Sequence, residues 1–73
     1  MNIDKMQMIL DWMQYLDPNG EWGYVDDYYL ADCGLTWEDV PGIIRQALTQ
    51  WLENGMSETA YRTMMRRLEE ATK

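Results

Sequence analysis

Residues 41–55, Pro-Gly-Ile-Ile-Arg-Gln-Ala-Leu-Thr-Gln-Trp-Leu-Glu-Asn-Gly, decide how the chain folds. Ile44, Ala47, Leu48, Trp51 and Leu52 recur at three- and four-residue spacing, which places them on one stripe of an α-helix, and Ile43 widens that stripe. Pro41 stands where a first helical turn tolerates a residue without an N–H, and Gly55 where a C′ residue must turn left-handed. The stretch therefore reads as a central helix whose apolar stripe the other elements are expected to cover.

Upstream, the spacing predicts a helix over about Ile3 to Leu16, with Asn2 or Asp4 near its start. Ile3, Met6, Ile9 or Leu10, Met13 and Leu16 form its inward stripe. Met8, Trp12 and Tyr15 make a second stripe beside it, so more than half of the circumference is apolar. In so small a protein that second stripe is expected to be core, the alternative being an exposed binding patch. Asp17-Pro18-Asn19-Gly20 then breaks the helix as a tight turn.

Asp26 to Cys33 reads as a short helix, with Asp26 and Asp27 at the positive end of its dipole and Gly34 as its stop. Thr36-Trp37-Glu38-Asp39 resembles a capping box and starts another turn, which Val40-Pro41-Gly42 kinks into or separates from the central helix. Ser57 is the expected N-cap of a last helix, with Met56 and Tyr61 in the positions of a hydrophobic staple. Tyr61, Met64 or Met65, Leu68 and Ala71 form its stripe. On its other face Arg62, Arg66 and Arg67 are expected to meet Glu69 and Glu70. The fold class that follows is all-α: one helical domain over residues 1–73, with three main helices and one or two short ones.

A chain of 73 residues buries only about 60% of its unfolded surface, so a stability of about 3–5 kcal/mol is expected. Four Trp and five Tyr with no Phe exceed what such a core needs, and amphipathic rings serve contacts well. Cys33 is the single cysteine and there is no His, which excludes an intrachain disulfide and a Cys/His zinc site. The acids Asp4 and Asp11 interrupt the first apolar run, so neither a signal peptide nor a membrane span is expected; the reading is a cytoplasmic protein.

Charge is divided unevenly. Residues 1–40 hold nine acids against Lys5 alone, whereas residues 41–73 hold four acids and five bases, within a net charge of −7. The acidic half repels phosphate and attracts basic surfaces, which disfavours direct nucleic-acid binding.

Motifs for chemistry are sparse. Without His the commonest general base is missing and Cys33 has nothing to activate it, and no Gly-rich phosphate cradle is present, so no enzymatic activity and no cofactor are expected. Asp17, Asn19, Glu21, Gly23 and Val25 or Asp26 follow the alternation of a calcium loop. However, Trp22 replaces its invariant Gly and Tyr28 its bidentate Glu, so the reading is a turn with solvated acids and no metal. Tyr29, Cys33, Gly34, Leu35, Val40 and Ile43 resemble the apolar and turn positions of a helix-turn-helix. Trp37, Glu38 and Asp39 would then lie where such a motif meets phosphate and bases, which implies protein contacts rather than DNA reading.

What remains is a surface of acids interleaved with aromatic rings: Asp17, Glu21, Trp22, Tyr24, Asp26, Asp27, Tyr28, Asp32, Trp37, Glu38 and Asp39. Acids steer such a chain to a basic surface and aromatic anchors supply affinity there. In size, acidity and helical content the whole chain is similar to the small phage- or mobile-element-encoded inhibitors of bacterial defence, the DNA-mimic anti-restriction and anti-CRISPR proteins. That resemblance implies a non-enzymatic inhibitor acting in the cytoplasm of a bacterial host, whose acidic face occupies the basic nucleic-acid-binding surface of a protein partner. The alternative is a small helix-turn-helix-like regulator or adaptor that acts through protein contacts or as a homodimer formed through Met8, Trp12 and Tyr15.

Overall fold

The computed structural model describes residues 1–17, 22 and 25–73. In chain order these form α1 (Ile3–Leu16), α2 (Asp27–Asp32), α3 (Val40–Glu53) and α4 (Glu58–Thr72). The fold is all-α, and no helix among the described residues is long and apolar enough to cross a membrane.

α1, α2 and α4 each start where a short polar side chain takes up an orphan N–H. Asn2 Oδ1 accepts from the Lys5 amide at 3.0 Å, Asp26 Oδ1 from the Tyr29 amide at 2.8 Å, and Ser57 Oγ from the Ala60 amide at 3.1 Å. The start of α3 differs. Asp39 caps nothing forward; its Oδ2 accepts from the Thr36 amide at 2.9 Å, so only the backward half of the capping box forms. Residues 36–39 are a hydrogen-bonded turn, and α3 begins after it with Pro41 in its first turn.

The stops of α2 and α3 are the same device. Gly34 has φ +70° and Gly55 φ +114°. At α2 the Leu35 amide donates to the Leu30 carbonyl at 2.8 Å and the Gly34 amide to that of Ala31 at 3.1 Å. At α3 the Met56 amide donates to the Trp51 carbonyl at 2.9 Å and the Gly55 amide to that of Leu52 at 3.2 Å. Both are Schellman motifs, each bringing an apolar C″ residue, Leu35 or Met56, to its C3 partner.

The core comprises Met6, Ile9, Leu10 and Met13 of α1, Val25, Leu30 of α2, Val40, Ile44 and Leu48 of α3, and Met64, Leu68 and Ala71 of α4. Here the organisation departs from the sequence expectation. It is α4, not α3, that packs on both of the other long helices. Met64, Leu68 and Ala71 are fully buried, while Trp51 and Leu52 of α3 are only half-buried. The Asn2 amide donates to the Ala71 carbonyl at 2.7 Å, fixing the start of α1 to the end of α4.

The second stripe of α1 is also corrected. Met8 is 69% and Tyr15 82% exposed, because no element covers that side; Trp12 alone is half-buried, with the Arg67 guanidinium 5.8 Å from its ring centroid. Ile3 and Leu16, assigned inward, are exposed at the two ends of the helix. Arg62 pairs backward with Glu58 at 2.6 Å instead of forward with the later acids, and this is the ion pair found among the described residues.

Candidate partner-binding surface

α2 carries one buried residue, Leu30, which sets which way the other side chains face. With Leu30 inward, Asp27, Tyr28, Ala31 and Asp32 are exposed, and Tyr28 keeps 83% of its surface in solvent. Asp26 and Asp27 each have a local role. Asp26 caps α2, and Asp27 Oδ1 accepts from Trp37 Nε1–H at 2.6 Å. That bond ties the start of α2 to the turn ahead of α3, so Asp26, Asp27, Tyr28, Trp37, Glu38 and Asp39 fall on two joined segments. Glu38 and Asp39 are exposed there; Trp37 is half-buried against the core and orients its indole N–H outward to the carboxylate.

Of the remaining candidates, Asp32 lies at the exposed end of α2, and Asp17 is half-buried as the C-cap of α1, its amide donating to the Met13 carbonyl at 2.9 Å. Trp22 packs on the core and meets Trp51 edge to face, ring centroids 6.2 Å apart and planes at 88°. Glu21 and Tyr24 lie outside the described residues, as do Pro18, Asn19, Gly20 and Gly23 of the expected turn and calcium-loop pattern. Among the described residues no three Cys, Asp or Glu side chains gather as a metal site requires.

Electrostatically the surface is uncompensated. Asp4, Asp11, Asp17, Asp26, Asp27, Asp32, Glu38 and Asp39 form no ion pair among the described residues; the pair that exists is within α4. The Asp26 and Asp27 charges also sit at a helix start, where the dipole favours them. The potential of such a surface is negative, which disfavours anionic groups near it and favours cationic ones.

The helix-turn-helix geometry is loose. α2 has six residues, and Cys33 to Asp39 between it and α3 contain their own hydrogen-bonded turn, longer than the tight turn that such a motif uses. Three features had no counterpart in the sequence reading: the Trp37–Asp27 bond, the Trp22–Trp51 contact and the Arg67–Trp12 contact. All three join residues far apart in the chain, so no local spacing announces them. Compared with protein-family models, curated proteins and solved structures, the chain matches none of them.

Proposed function

We propose that this protein is a non-enzymatic inhibitor whose acidic α2 surface occupies the basic nucleic-acid-binding site of a bacterial defence complex. The observation that carries the reading is the uncompensated run of carboxylates from Asp26 to Asp39, with Tyr28 standing exposed among them. The carboxylates take the place of backbone phosphates along a Lys/Arg-lined channel, and the tyrosine and neighbouring apolar surface hold the complex once it is formed. Inhibition is by exclusion: while the protein is bound, the nucleic acid is not.

Replacing Asp26, Asp27 and Asp32 together with Asn tests this. Asn also caps helices, and its carboxamide oxygen can still accept from Trp37, so the fold is retained while three charges are lost. From nuclease-treated bacterial lysate the native protein should retain a nucleic-acid-binding enzyme that elutes with salt and that duplex or single-stranded nucleic acid displaces. The triple variant should retain much less of it, with a flatter salt dependence. Equal retention by the variant, or a retained partner indifferent to nucleic acid, overturns the proposal.

A second reading rests on the exposed Met8 and Tyr15 of α1: a small regulator or adaptor that pairs with another copy through this face. Sedimentation equilibrium separates the two, since a dimer lost on Tyr15→Ser favours the regulator and a monomer favours the inhibitor.

A further inference from the structure

A cavity of about 470 Å³ opens where the end of α1, the end of α3 and the start of α4 meet. Its apolar walls are Leu16, Trp51, Met56 and Ala60. Among the described residues its polar lining is Asn54, Ser57 and one ionisable group, Asp17. We infer that this cavity receives an arginine side chain of the protein partner.

Charge and shape both point there. Asp17 has no cation within ion-pair distance among the described residues, and no Lys or Arg lines the cavity. Two of the three helix ends that converge on it are C-termini, whose carbonyls concentrate partial negative charge, and neither α1 nor α3 has a basic side chain in its last turn. At the third end, the start of α4, Ser57 Oγ takes up the Ala60 amide and the first-turn acid Glu58 is already paired with Arg62, which leaves Asp17 as the unpaired carboxylate of the described lining. A cation is therefore the missing counterpart.

The apolar lining selects the kind of cation. Trp51 brings to the lining an indole, the ring type that attracts a guanidinium most strongly. Leu16, Met56 and Ala60 suit the methylene stem behind the charged head. Arginine combines a planar, weakly hydrated head that forks onto a carboxylate with such a stem. The inference deepens the proposed function, resting on a partner rich in Lys and Arg and assigning one of its side chains a place outside the α2 surface.

The test is an amide and indole NMR titration of the full chain with the peptide acetyl-Gly-Gly-Arg-Gly-Gly-amide and its citrulline and lysine counterparts. The arginine peptide should shift the Trp51 indole N–H and the Asn54 and Ser57 amides saturably, the citrulline peptide should not, and Asp17→Asn should weaken binding about fivefold. The Asp17 carboxylate makes no hydrogen bond among the described residues, so that variant folds. Equal shifts with citrulline, indifference to Asp17→Asn, or lysine binding as well as arginine overturns the assignment. Shifts confined to α2 and residues 36–39 would sink the cavity and leave the acidic surface standing as the binding site. No shift in either region would count against both.

Discussion

In α3 and α4 the side chains that hold the helices are Ile44, Leu48, Met64 and Leu68, none with any exposed surface, whereas in α2 Leu30 alone is buried. What holds α2 otherwise is polar and mostly exposed: the Asp26 cap, the Trp37–Asp27 bond, and Gln7 Nε2 of α1 donating to the Val25 carbonyl at 3.0 Å. The long helices are fixed by apolar area, which is insensitive to salt; the acidic segment is fixed by single bonds to side chains that also face solvent. A segment built in the second way can carry many carboxylates, because few of its groups have to be desolvated. It is also the part of the molecule that should open first.

Removing core volume gives the largest effect. Leu68→Ala cuts into the stripe by which α4 meets both α1 and α3 and should cost about 2–5 kcal/mol. That is comparable with the whole stability expected for so short a chain, so the variant should show no cooperative urea transition by circular dichroism. Leu30→Ala removes the same atoms from the other region and breaks the comparison if it does the same. The expected outcome is milder: a cooperative transition that survives, with amide hydrogen exchange accelerated across residues 27–35 and unchanged protection in α3 and α4. Global unfolding by Leu30→Ala would show that α2 is part of one cooperative unit with the long helices.

How far the sequence revealed this division depends on the range of the contacts involved. The α1 boundaries, the Ser57 cap, and the Gly34 and Gly55 stops are written within four or five residues, and they were legible because the groups that satisfy each other are neighbours in the chain. Which helix lies at the centre was not. α3 has the more apolar stripe, but centrality depends on which helix is flanked on two sides, and that is fixed by the Asn2–Ala71 bond and the tight corner at Gly55. Met8 and Tyr15 misled for a related reason: apolar character says that a face can be buried, and only the number of neighbouring helices says whether it is. Of the candidate surface, the acids of α2 and of residues 36–39 were legible as charge, while Trp22 and Trp37 read as free contact residues and are packed on the core.

Gly34 and Gly55 sharpen the comparison with the smallest effect. They occupy the same position in the same motif, one ending α2 and the other α3, with open space around both Cα atoms. Alanine at either position therefore meets no clash, and the cost is in the backbone alone: about 1 kcal/mol at Gly34, whose φ of +70° lies at the left-handed region, and more at Gly55, whose φ of +114° lies beyond it. Because Gly55 is the further of the two from the left-handed region, its local cost is the higher, and the region is reported by where each effect appears rather than by its size alone. Gly55→Ala should lower the urea midpoint of the whole protein, since the α3–α4 corner cannot open without separating the buried stripes of α3 and α4. Gly34→Ala should leave the midpoint closer to that of the native protein and appear as faster exchange at the Leu35 and Gly34 amides, because α2 can release its end while the three long helices stay packed. Equal drops in the midpoint would place α2 in the same cooperative unit as the core. The acidic surface would then be as rigid in the free protein as the core beneath it.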